Sequence, residues 1–485
     1  MEMQPITGGA LGTRTRHWPW ALALLAFGTL ALWIGWVGFI ASDDSLYWRG
    51  AMKLMTHPPF AGDDHWNTRF PLTMVFALTL RAIGQNFAAF AVTAVLCHML
   101  LVAMTGVFAA KVAGRTAGWI AALLTATLPV IVSQATTVSV DLLEASAVMA
   151  GIMLLTDARV GRPAYLRGVA AGAMFGVAVL CRETSVLPLV GLVPLFLIGR
   201  PVPRGVLIAA GIGFAIVLGG EALYQYALTG EPLRRYAIAF HHDEHIDRAA
   251  NMEGNFLLWP PIDPVLVLLV NDDFGLLFWL LGAALTFGAQ RRWAAPGRRR
   301  MIVLGAMAAA SFLLVAVLVH KLVLNPRYFT LPALAAVIVV AAWAARMPPL
   351  RRTLLLVATI SLNLLLMGVG NAHPRWQMEA MVAAAADHPR EIVTGNAHDV
   401  RRALIPMLYA GRENLRYAPA RPGGLEIAPA DAAPTGVIVA RYPSPPTRVG
   451  AILRALGLEP LVPAAIARRM FAPSPEVVLV RRPAG

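Results

Sequence analysis

The chain has 485 residues, 58% of them hydrophobic and only 14% charged, more apolar surface than a soluble core of this length can hide. Lipid must therefore solvate most of it. The formal net charge of +14 comes without a basic patch interleaved with aromatics, so it points to arginine-held cytoplasmic loops and away from nucleic acid.

In chain order, Arg14 and Arg16 precede an apolar stretch from Trp18 to Ile40. That is longer than a signal-peptide core of about 7–15 residues, and it reads as an uncleaved first span. Ten more windows approach the roughly 20 residues that a bilayer crossing needs. They lie near 88–110, 117–134, 138–156, 166–182, 185–199, 204–227, 265–288, 301–320, 328–345 and 353–370. Cys97 and Cys181 sit alone in apolar runs and read as small packed hydrophobes.

Leu72–Ile83 is shorter, with Arg69 before it and Arg81 near its end. If it lies in the interface plane, the loops rich in arginine and lysine fall on one side. These are Lys111 and Arg115; Arg159, Arg162 and Arg167; Arg200 and Arg204; Arg291, Arg292 and Arg298–Arg300; and Arg346, Arg351 and Arg352. If it crossed, each would land on the wrong face. The positive-inside rule selects an in-plane helix. The expected fold is an all-α polytopic membrane protein of about eleven transmembrane helices plus one in-plane periplasmic helix.

With the N-terminus cytoplasmic, polar regions at 42–87, 228–264 and from Asn371 onward face the periplasm. The last is a small C-terminal α/β domain. Helices are expected at Met378–Ala386, Asp399–Tyr409 and near Val449–Leu456, and strands at Glu391–Thr394, Gly436–Arg441 and Val477–Val480. The expected division is a transmembrane unit of residues 1–370 and a periplasmic unit of residues 371–485.

The middles of the spans are almost clean of ionisable residues, which gather instead at the periplasmic ends. They are Asp43 and Asp44, His65 and Arg69, Asp141 and Glu144, Arg182 and Glu183, His241 and His242, and His320, Lys321 and Arg327. A lipid-linked-sugar transporter or flippase would place such groups at mid-bilayer, so this pattern disfavours it. A non-catalytic envelope-assembly scaffold is the other competing reading. One polar chamber at the outer surface suits chemistry on a lipid-linked phosphate. Guanidinium forks grip phosphate oxygens, which makes Arg69, Arg182 and Arg327 candidates, with Lys321 beside them. A carboxylate at the mouth can take an acceptor's proton, and of the adjacent Asp43 and Asp44 at most one can face the reacting carbon. The plainer reading is that the pair caps the helix after it. Asp141 and Glu144, one helical turn apart, need a partner, and Arg182 is the candidate. No metal-ligand spacing exists beyond the adjacent His241–His242, which disfavours a metal cofactor.

Five segments carry a resemblance. SDDSLYWRGAMKLM (42–55) has an acidic pair followed by Tyr47. TRFPLTMVFAL (68–78) has Arg69 and Pro71 leading into an amphipathic helix. VSVDLLEASAVM (138–149) has Asp141, CRETSVLPLV (181–190) has Arg182, and NPRYFTLPALA (325–335) has Arg327 and Tyr328. In this order they resemble the GT-C glycosyltransferases, specifically the branch of protein O-mannosyltransferases and lipid A aminoarabinose transferases. Arg182 stands where that branch usually has lysine. The resemblance implies a polyprenyl-phosphate sugar donor, inversion at the anomeric carbon and Asp43 as general base. It also places Tyr47 and Tyr328 beside the donor, and implies an inner-membrane enzyme acting on a periplasmic acceptor (lipid, glycan or protein).

Overall fold

A computed structural model describes residues 18–158, 161–241, 262–288, 293–318, 324–370, 376–419 and 421–484. Among the described residues, seventeen α-helices build the membrane body: α1 (Trp18–Ile34), α2 (Asp43–Thr56), α3 (Phe70–Ile83), α4 (Phe87–Ala113), α5 (Arg115–Thr127), α6 (Pro129–Ala135), α7 (Asp141–Asp157), α8 (Arg162–Cys181), α9 (Val186–Leu189), α10 (Leu192–Ile198), α11 (Arg204–Thr229), α12 (Arg234–His241), α13 (Asp263–Val270), α14 (Leu277–Thr286), α15 (Ala295–Val317), α16 (Thr330–Ala344) and α17 (Pro349–Gly370).

Every apolar window of the sequence holds helix, but not every one holds an unbroken span. Among the described residues, six helices are long and apolar enough to cross a membrane: α4, α8, α11, α15, the segment Pro326–Ala344 and α17. A seventh is counted if α5 and α6 form one span bent by 64°. The bend falls at Leu128–Pro129, where proline opens α6 because it has no N–H to give to the helix before it. Window 185–199 is broken too. Between α9 and α10 a turn holds Gly191, where an added Cβ would meet the Ala306 carbonyl oxygen at 2.3 Å, so the backbone there presses directly against α15. Window 265–288 divides into α13 and α14 around Asn271–Leu276. α1 stops at Ile34, short of the expected Ile40, and α3 is a short apolar helix of 14 residues.

The acid pair does not lie in an irregular loop. It opens α2, a helix with Asp43 and Asp44 in its first turn, where carboxylates complement the helix dipole. α8 and α11 pack backbone to backbone. A Cβ on Gly172 would lie 1.7 Å from the Ala210 carbonyl oxygen, and one on Gly213 2.0 Å from that of Val169. Close approach of small residues is how membrane helices gain packing where lipid removes the hydrophobic drive.

Beyond α17 the chain forms α18 (Trp376–Asp387), β1 (Val393–Gly395), α19 (Ala397–Tyr409), β2 (Leu415–Tyr417), β3 (Leu425–Pro429), β4 (Val437–Tyr442), α20 (Arg448–Ala455), α21 (Ala464–Phe471) and β5 (Val477–Arg481). The sheet order is β2-β1-β3-β5-β4. β1 runs parallel to β2 and β3, while β5 is antiparallel to β3 and β4. Met378, Met381, Ala384 and Ala385 of α18 are buried in one core with Leu425, Ile427, Val477 and Leu479 of the sheet. The three expected helices and three expected strands are present, with ends shifted by a few residues. β2, β3 and α21 were not expected: β2 is only three residues long, and β3 ends in proline, too little for a period to show.

Candidate active site

The residues of the five sequence segments converge at one end of the membrane body. Asp43 begins α2, and its Oδ2 lies 3.5 Å from Arg327 Nη1. Both side chains are about one-third exposed, so this pair stands at the chamber mouth. Asn325 positions Arg327 by accepting its backbone N–H at 3.1 Å. Deeper in, Arg182 pairs with Asp141, whose second oxygen accepts from Ser139 Oγ at 2.5 Å. The Arg182 guanidinium also lies 4.3 Å from the centroid of the Tyr328 ring. Glu144, one turn after Asp141, accepts instead from Ser185 Oγ at 2.5 Å. A small cavity of about 40 Å³ opens between Asp141, Glu144, Arg182, Ser311, Arg327 and Tyr328.

A second cluster adjoins the first. Arg69, buried at the start of α3, donates to the Tyr47 hydroxyl and lies 2.5 Å from His65 Nε2. Glu183 is 4.0 Å from both His65 and Arg69. The clusters join at consecutive residues, since Arg182 pairs with Asp141 while Glu183 faces His65 and Arg69. The clusters are therefore one chamber. Burial pushes the Tyr47 phenol well above its ordinary range, so it is neutral and able to accept from Arg69.

The two acids of the pair have different surroundings. Asp44 is 1% exposed, and both of its oxygens hold backbone amides. Ile40 N–H donates at 2.8 Å, Ser42 at 2.8 Å and Ser45 at 2.9 Å. Burial, opposed by these bonds, brings its carboxyl up to about 6. Asp44 thus folds the turn that leads into α2, a turn in which Ala41 takes a positive φ of 55°. Its neighbour Asp43 is left facing the chamber.

Arg235, on α12, was not singled out in the sequence. It is fully buried and donates to Glu183 at 2.7 and 3.1 Å, to the Thr68 carbonyl at 2.8 Å and to that of Val179 at 3.0 Å. It thereby ties α12 and the end of α8 to the residue preceding Arg69. In the sequence it sat in what read as a long polar loop, and nothing local marks it. His241, at the exposed end of α12, has its Nδ1 2.7 Å from the Ala237 carbonyl. His242 and Lys321 lie outside the described residues. Among the described residues, no group of three or more His, Cys, Asp or Glu is arranged to hold a metal ion.

The multi-pass helical body and the small α/β unit beyond it form a GT-C-like fold, on the likenesses that follow. Residues 71–220 match the family model of dolichyl-phosphate-mannose-protein mannosyltransferases, a stretch that includes Asp141 and Arg182 but neither Asp43 nor Arg327. No curated protein matches the chain by sequence. Its fold is similar to that of ArnT from Cupriavidus metallidurans bound to undecaprenyl phosphate. The TM-score is 0.60 at 13% identity, covering 95% of this chain and 98% of that one. ArnT in the apo state gives 0.55 at 13% identity, over 96% and 98%. The archaeal oligosaccharyltransferase AglB from Archaeoglobus fulgidus, in complex with an inhibitory peptide and a dolichol-phosphate, gives 0.51 at 13% identity, over 84% and 65%.

Proposed function

We propose that this protein transfers a sugar from a polyprenyl-phosphate carrier to an acceptor, with inversion at the anomeric carbon. The observation that carries the reading is the Asp43–Arg327 pair at the mouth of a chamber lined by further guanidinium groups. In the reaction, an acceptor hydroxyl or amine attacks the anomeric carbon while the bond from that carbon to the phosphate oxygen breaks. Asp43 takes the acceptor's proton. Arg327 turns from Asp43 to the leaving phosphate, which both frees the base and stabilises the charge that develops. Arg182 and Arg69 complete the phosphate cradle, held in place by Asp141, Tyr328, Tyr47 and Glu183. Similarity to ArnT bound to undecaprenyl phosphate supports a polyprenyl-phosphate donor. The arginine-rich loops support an inner-membrane protein with cytoplasmic N-terminus, whose chamber and C-terminal unit face the periplasm. The test is transfer from a synthetic polyprenyl-phosphate sugar by the purified protein in proteoliposomes. Asp43→Asn should abolish transfer while retaining donor binding and folding. Turnover of that variant at the wild-type rate would remove Asp43 from the mechanism.

A further inference from the structure

The C-terminal α/β unit reaches the acid-bearing turn directly. On α19, Arg402, Pro406 and Tyr409 fall at i, i+4 and i+7, one stripe of a helix. Arg402 donates to the Ile40 carbonyl at 2.6 Å. Pro406 lines a cavity of about 370 Å³ together with Gly38 and Phe39, the residues that lead into that turn. The Tyr409 ring lies edge-on to Trp48 of α2, centroids 6.3 Å apart, and to Phe87 at 5.0 Å. The stripe thus grips the chain on both sides of Asp43, at Ile40 before it and at Trp48 after it. α19 is itself anchored: Asn396 caps its first turn by accepting from the Asp399 N–H at 2.9 Å, and Asp399 is buried.

Two contacts meet at the Ile40 backbone. Its carbonyl accepts from Arg402, and its N–H donates to Asp44 at 2.8 Å. A turn holding a non-glycine residue at positive φ persists when surrounding contacts over-determine it. We infer that Arg402 is a positioning residue: through Ile40 and Asp44 the C-terminal unit fixes where Asp43 points. Without that bond the turn relaxes, and Asp43 spends less time within reach of the acceptor proton. This rests on the Asp43 reading for its catalytic consequence, but its structural content stands apart from it.

The experiment uses full-length protein in lipid nanodiscs and two readouts. Hydrogen exchange of the segment holding the Ile40, Ser42 and Ser45 amides should quicken on the order of tenfold in Arg402→Ala, the scale of one lost charge-assisted hydrogen bond, and Arg402→Lys should restore part of it. In the transfer assay, kcat should fall by a similar factor with the donor KM unchanged. Arg448→Ala is the control, because Arg448 also joins the C-terminal unit to the membrane body, at the Trp33 carbonyl. It should leave exchange at Ile40–Ser45 as in wild type. Unchanged exchange in Arg402→Ala, equal loosening in Arg448→Ala, or loosening without a fall in kcat would each overturn the inference. Absence of transfer by the wild-type protein would sink the sugar-transfer reading instead, leaving exchange to judge the brace.

Discussion

Arg182 is held from two directions: its Nη1 meets the Asp141 carboxylate, and its guanidinium carbon lies 4.3 Å from the centre of the Tyr328 ring. The three residues come from the start of α7, the end of α8 and the turn before α16. A planar, delocalised cation suits both contacts at once, which a compact ammonium does not. Arginine, where the resembling branch usually carries lysine, therefore has a ring to lie against.

Arg182→Lys should keep the positive charge but lose the fork and much of the ring contact. Donor affinity is expected to fall on the order of tenfold, the scale of one charge-assisted hydrogen bond. Equilibrium binding of a polyprenyl phosphate to detergent-solubilised protein measures it. Acceptor preference should not move. Wild-type affinity in the lysine variant would take Arg182 out of the donor cradle.

Tyr47→Phe removes the hydroxyl that accepts from Arg69 while keeping the ring. Arg69 retains His65 and Glu183, so the chamber should assemble with one of its cations less firmly aimed. Donor KM is expected to rise several-fold, with a smaller change in Tm. If kcat fell and KM stayed fixed, Tyr47 would act on the reacting groups rather than on donor binding.

Arg235 offers a test of architecture. Truncating it to alanine leaves Glu183 without its closest partner and takes one donor from each of two carbonyls. Removing one member of a buried ion pair costs about 3–5 kcal/mol. A large loss of Tm in detergent is expected, and Arg235→Lys should recover little, because one ammonium cannot reach all three acceptors. A Tm within a degree or two of wild type would show that α12 does not brace the chamber.

The acid turn has a pH signature. The folded Asp44 carboxyl titrates near 6, above its ordinary 3.8, so the folded state holds a proton there that the unfolded chain has released. This contribution to stability is complete below pH about 4 and is lost as pH rises through about 6. It amounts to about 3 kcal/mol, from roughly two units at 1.36 kcal/mol each. The Tm difference between wild type and Asp44→Asn, followed from pH 4 to 8, should shift against wild type as pH rises across that window. A difference independent of pH would show that Asp44 does not carry it.

Much of the helical body was legible because lipid imposes a local rule. Each crossing must be a long apolar run, and each run shows in the sequence. The places where runs break were less visible. The bend at Leu128–Pro129 starts at a single proline that a window average dilutes, and Gly191 presses against α15, a neighbour no window registers. The C-terminal sheet was half legible. β5 shows as a continuous buried run, whereas β2 and the proline-ended β3 are too short for a pattern.

The sequence by itself determined that this chain lives in lipid, that most ionisable groups near its spans sit at helix ends, and which acids and guanidinium groups were candidates for one chamber. Those properties depend on composition and spacing along the chain. Only the tertiary structure decided that Asp44 is spent on three backbone amides while Asp43 meets Arg327, that Arg235 holds Glu183, and that Arg402 reaches Ile40. Each of those pairings joins residues through the direction of a hydrogen bond or across a long loop. Neither a bond direction nor a partner 284 or 362 positions away leaves a periodic trace.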